Sequence, residues 1–117
     1  MKALPVRLQG GCYVSCAAAE ATHLTLNIPG PTGRLTLPVI CQGTRDGTGC
    51  WTWNGSTSAP TLRPSVLTTE PPGGRRGGFR CHSWINDGSV QFLDDCSHEL
   101  RGQTLPLNPV EDTSCET

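Results

Sequence analysis

The sequence predicts a mainly β fold: a small, loop-rich single domain of short antiparallel strands and hairpins, completed by a bound zinc ion. Three observations predict it. Apolar residues alternate in short runs that turn dipeptides interrupt. Hydrophobic residues make up 35% of the 117 residues and aromatics 5%, beside 14 Gly and 10 Pro. Such a core is lean for the loops it must order. Seven Cys and three His supply groups for a cross-link. The odd Cys count and the histidines favour zinc over a full disulfide framework. The domain is expected over residues 1–110, and 111–117 reads as an acidic, frayed tail.

The elements follow in order. Ala3 to Leu8 is a first strand interrupted by Pro5, and Gly10-Gly11 turns the chain into Cys12 to Cys16. Ala17 to Ala21 is Ala-rich and suits one helical turn. His23 to Ile28 alternates, with Leu24, Leu26 and Ile28 on one face. Arg34 to Val39 resumes the alternation after Pro29-Gly30-Pro31, so the two segments form a hairpin, and Pro38 marks an edge. Trp51 to Trp53 is a short strand that ends at Asn54-Gly55. Pro60 to Pro64 is extended, Ser65 to Thr69 is a β-branched run, and Pro71 to Gly78 is a flexible loop. Phe79 to Ile85 and Ser89 to Leu93 flank Asn86-Asp87-Gly88, which suits a three-residue hairpin loop with Ile85 opposite Ser89. Gln103 to Leu107 is a last strand.

Composition excludes several functions. The net charge of −1 argues against general electrostatic binding to nucleic acid. No segment approaches the roughly 20 apolar residues of a membrane span, and no apolar stretch precedes Arg7 that would act as a secretion signal. The expected compartment is therefore a reducing cytosol. Arg75, Arg76 and Arg80 form a small basic group among glycines, a candidate interaction surface.

The chemistry-bearing residues cluster late in the chain. His82, Cys96 and His98 have ligand chemistry and converge if the chain bends at Asp94-Asp95. Cys81 and His82 are neighbours on a strand, so they point to opposite faces and only one can join a given site. The fourth ligand is expected to be Cys16, with His23, Cys12 and Cys81 as alternatives. Asp94, Asp95 and Glu99 are placed to orient a ligand or to act on bound water. Ser83, between His82 and Trp84, has no nucleophile context.

Four segments carry a family resemblance: Trp51 to Gly55, Pro60 to Leu67, Cys81 to Trp84, and Phe92 to Thr104. In order and spacing, over about residues 50 to 107, they resemble a family of small uncharacterised proteins of bacteriophages and prophages. That family has an upstream Cys- and His-containing segment, which Cys12, Cys16 and His23 resemble. Such proteins often carry the name ammonia monooxygenase. That enzyme is a multi-span membrane copper protein, and no segment here can span a bilayer. The resemblance implies a phage origin and a metal site. The expected function is therefore a zinc-binding accessory or virion protein, carried in the phage particle or acting in the host. It would be non-catalytic and bind a phage or host protein, or itself. The alternative is a small metal-dependent hydrolase or nuclease with an open zinc position.

Overall fold

The computed structural model describes residues 1–40, 50–75 and 77–111. Cys41, Arg76, Cys115 and the tail beyond Glu111 lie outside the described residues. The described chain is mainly β, as the alternation predicted. Its strands are β1 (Ala3–Gln9), β2 (Cys12–Ser15), β3 (His23–Ile28), β4 (Gly33–Ile40), β5 (Trp51–Trp53), β6 (Leu62–Arg63), β7 (Val66–Glu70), β8 (Phe79–Asn86), β9 (Ser89–Phe92) and β10 (Thr104–Pro106). The Ala-rich segment forms one 3-10 turn at Ala18–Glu20.

Two sheets form, one in the order β2-β1-β3-β4-β5-β6 and one in the order β10-β9-β8-β7. The expected β3–β4 hairpin is present, with Leu24 opposite Leu37 and Leu26 opposite Leu35. Pro38 has no N–H to donate, and β5 joins β4 only beyond it, in parallel at Val39 and Ile40. β1 runs through Pro5 without interruption and lies between β2 and β3.

Leu24, Leu26 and Ile28 face the main core with Val66, Ile85 and Phe92. The opposite side of the first sheet is also covered: Leu4, Val6 and Val110 form a second, smaller cluster. Thr25 is buried between the apolar positions of β3 and shares a 2.8 Å hydroxyl bond with Thr36. A buried hydroxyl needs such a partner.

The β8–β9 hairpin differs from the expected register by one residue. Asn86 pairs with Ser89, and Ile85 pairs with Val90. Asp87 (φ 48°) and Gly88 (φ 80°) both take positive φ. Those are the requirements of a two-residue type I′ loop, whose twist matches the strands. The tighter loop puts Ser83 opposite Phe92 and aligns the inward faces of both strands. Trp53 belongs to the core, while Trp84 is partly exposed beneath the Arg63 guanidinium at 5.1 Å.

Leu26 is completely buried in the main cluster. Leu26→Ala should destabilise the fold by about 2–5 kcal/mol. Urea unfolding would show this as a lower midpoint with an unchanged slope.

Candidate functional site

β7 and β8 pair antiparallel, with Val66 opposite Ser83 and Leu67 opposite His82. Residues directly opposite share a face, and so do residues two apart on one strand. Ser65, two before Leu67, therefore falls on the same face as His82, one diagonal step away. The burial of β8 alternates accordingly: Cys81, Ser83 and Ile85 are buried, while His82 and Trp84 are only partly so. The Ser65 carbonyl accepts a 3.3 Å hydrogen bond from Trp51 Nε1, which holds the start of β7 against β5.

Beyond β9 the chain turns at Asp94–Asp95, and Cys96 N–H closes the turn on the Leu93 carbonyl at 3.2 Å. This is the bend that the sequence required. The turn lies along β8: Leu93 N–H donates to the His82 carbonyl at 2.9 Å and Ser97 N–H to the Arg80 carbonyl at 2.9 Å. Asp95 then stands beside His82.

A continuous hydrogen-bonded chain results. Ser65 Oγ lies 2.9 Å from His82 Nε2. His82 Nδ1 lies 3.0 Å from Asp95 Oδ2 and 3.2 Å from Oδ1. Arg80 donates to Asp95 Oδ2 from Nε at 3.1 Å and from Nη2 at 2.8 Å. The Arg80 guanidinium, and next the His82 ring, hold the Asp95 carboxyl below its ordinary range. An ionised Asp95 favours the tautomer with the proton on His82 Nδ1, in which Nε2 accepts from the Ser65 hydroxyl. That is the arrangement of nucleophile, base and orienting carboxylate found in serine hydrolases.

The opposite face of the same segments carries a second group. Cys81, Cys96 and His98 place their ligand atoms within 4.8 Å of one another and can hold a metal ion. Cys81 is 1% and Cys96 3% exposed. Burial pushes the Cys81 thiol up, while hydroxyl contacts from Thr32 and Thr68 act the other way. Burial also lowers the His98 pKa, against the pull of Glu99, and favours the neutral imidazole that metals require. Gly30 makes room for this ring: a Cβ there would meet Leu100 Cδ1 at 3.1 Å and the His98 ring at 3.9 Å.

Cys96 and His98 therefore meet, as their spacing suggested, and Cys81 joins them in place of His82. The reason is strand alternation: His82 points away from the cluster and toward Ser65. The fourth-ligand candidates from the first sheet lie elsewhere. Cys16 is free and partly buried, and Cys12 is disulfide-bonded. His23 accepts or donates a 2.9 Å bond with Thr22 Oγ1 and packs 5.0 Å from Tyr13. Of the acidic candidates, Asp95 orients His82, whereas Asp94 and Glu99 are exposed. Arg75 is exposed, and Arg80 is committed to Asp95.

A family model described as bacterial ubiquitination-like system serine protease (BubE) matches residues 4–93, well over half of the chain. The chain belongs to the BubE family. No curated protein and no solved structure matches it. The BubE match includes Ser65 and His82 and stops just before Asp95. No helix among the described residues is long and apolar enough to cross a membrane.

Ser65 is the member of this hydrogen-bonded chain that sequence reasoning missed. It sits in Arg63-Pro64-Ser65-Val66, without a Gly-x-Ser-x-Gly elbow to mark it. The signal available was the Gly-rich loop between two strand-like runs. Pairing Ser65 to Thr69 with Phe79 to Ile85 across that loop brings Ser65 and His82 to one face.

Arg80→Ala should raise the pH at which Asp95 titrates, as followed by the carboxyl carbon shift in NMR. A carboxylate with a depressed pKa contributes stability above the ordinary carboxylate range and loses it as pH falls through its folded value. The variant should lose that contribution at a higher pH than the parent.

Proposed function

We propose that this BubE chain is a serine hydrolase that cleaves a peptide or related amide bond in a bacterial ubiquitination-like system. The observation that carries this reading is the unbroken Ser65–His82–Asp95 hydrogen-bond chain, with 2.9 Å and 3.0 Å links. The family description, a serine protease of a ubiquitination-like system, supports both the reaction type and the substrate class. The protein partner expected from the sequence is, on this reading, the substrate: a ubiquitin-like protein or its conjugate.

The roles follow from position. His82 Nε2 takes the Ser65 proton as Oγ attacks the carbonyl, then returns it to the leaving amine. Asp95 holds the imidazole in the correct tautomer and stabilises the imidazolium that forms. Arg80 fixes the carboxylate and keeps it ionised. His82 retains 25% side-chain exposure and Asp95 42%, so the site lies open at the surface and accessible to a protein chain. We assign zinc to the Cys81/Cys96/His98 group, with a structural role, because two thiolates and an imidazole suit a soft, tetrahedral ion.

A fluorophosphonate probe tests the hydrolase reading without knowledge of the natural substrate. The parent protein should be modified at Ser65, as located by peptide mass spectrometry. Ser65→Ala should abolish labelling, and Asp95→Asn should slow it by about 10⁴-fold through loss of the correct His tautomer. Absence of labelling in the folded parent, or labelling that persists in Ser65→Ala, would refute the assignment.

A further inference from the structure

The two side-chain groups described above are built from the same two stretches of chain. Cys81 and His82 are adjacent on β8, and Asp95 and Cys96 are adjacent in the turn after β9. Each pair sends one side chain to the catalytic face and the other to the buried face. Consecutive Cα atoms lie about 3.8 Å apart, so displacing either cysteine displaces its catalytic neighbour. The Cys96 sulfur already spans the junction: it accepts from His82 N–H at 3.2 Å and donates to the His82 carbonyl at 3.1 Å.

A second observation points to a ligand between these residues. His98 Nε2 is buried and has no hydrogen-bond partner among the described residues. A buried imidazole nitrogen left unpaired is costly. Here it belongs to a ring packed edge-on against Phe92 at 5.1 Å and close to two buried thiols. A tetrahedral zinc site needs its ligand atoms roughly 3.5–3.8 Å apart, from bonds of about 2.1 Å to nitrogen and 2.3 Å to sulfur. The present limit of 4.8 Å is a small contraction away. The ring must carry its proton on Nδ1 to coordinate through Nε2. The contact from Leu100 N–H to Nδ1, at 3.3 Å, is long and easily given up. A disulfide between Cys81 and Cys96 would leave His98 unpartnered, whereas one metal ion satisfies all three groups.

We propose that a zinc-class divalent ion bound by Cys81, Cys96 and His98 clamps the Asp95 turn to β8, setting the geometry of the Ser65–His82–Asp95 chain without entering the chemistry. The proposal rests on the hydrolase reading for what is being positioned. The ion replaces a weak sulfur–backbone contact with coordinate bonds at the point where the turn meets the catalytic strand. Cys81, Cys96 and His98 are positioning residues on this account.

The test uses the full chain, purified under reducing conditions with zinc supplied. Metal content is measured by mass spectrometry, and cobalt(II) is substituted to read the thiolate charge-transfer band. The fluorophosphonate labelling rate at Ser65 reports the catalytic geometry. About one equivalent of metal is expected in the parent, with its loss in His98→Ala and Cys96→Ala. Metal loss should slow labelling roughly 10- to 100-fold, the range for residues that orient a site from behind. Zinc should restore the rate to chelated parent protein and not to these variants. His98→Cys, which preserves a soft donor, should keep both metal and rate. Near-UV circular dichroism from the tryptophans identifies any variant that fails to fold. In that case the comparison rests on chelated and reloaded parent protein. A parent that binds no metal, a Cys81–Cys96 disulfide in its place, or an unchanged labelling rate after metal loss would overturn the proposal. Metal-loaded parent that never labels at Ser65 would instead overturn the hydrolase reading, and the positioning role with it, while leaving metal binding intact. Hydrolysis that survives Ser65→Ala and ends on chelation would move the chemistry to the metal and overturn the proposal.

Discussion

The antiparallel pairing of β7 with β8 is the constraint on which both functional groups depend. Its register places Leu67 opposite His82 and Thr68 opposite Cys81. The two-residue period of a strand then sends the side chains of β8 alternately outward and inward. His82 goes out to meet Ser65, and Cys81 goes in to meet Cys96 and His98. A slip of one residue would exchange the two faces, burying the histidine and exposing the thiol. The packing of Val66, Ile85 and Phe92 into one core opposes such a slip, so the lean hydrophobic core also sets the register of the site.

The turn after β9 completes both groups by the same logic. Its backbone bonds to the carbonyls of Arg80 and His82, so it behaves as a short continuation of the sheet along β8. Asp95 and Cys96 are then delivered to opposite sides of one strand. Arg80 has a place in this design that its glycine-rich neighbourhood did not suggest. It binds the carboxylate that orients His82, and its own backbone N–H is held by Ser97 Oγ at 2.8 Å. A surface charge pair of this kind contributes little to stability. Its value lies in fixing the position and charge of one carboxylate.

The Ser65–His82–Asp95 chain on such a small β scaffold depends on preorganisation by short-range contacts. Ser65 stands at the entry to an edge strand, and Trp51 holds its carbonyl from the other sheet. The site is thus tied to both sheets, and its orienting carboxylate sits on a loop. That loop also carries Cys96 and His98, which meet Cys81 of β8 on the other side.

Sequence by itself determined the strand-rich class and the β3–β4 hairpin, and made a bend at Asp94-Asp95 the condition for bringing Cys96 and His98 to one site. Each of these is encoded locally, in alternation, turn residues or close spacing. It also established that Cys81 and His82 cannot serve one site, since neighbours on a strand face opposite ways. Tertiary structure alone decided which of the two joins the cysteine cluster, and that Ser65 is the partner of the other. Those outcomes depend on register, and register is set by a tight Asp87-Gly88 loop and by core packing between distant strands. Ser65, His82 and Asp95 are 17 and 13 residues apart in the chain. No local pattern links them, and their relation exists only once β7, β8 and the turn after β9 lie side by side.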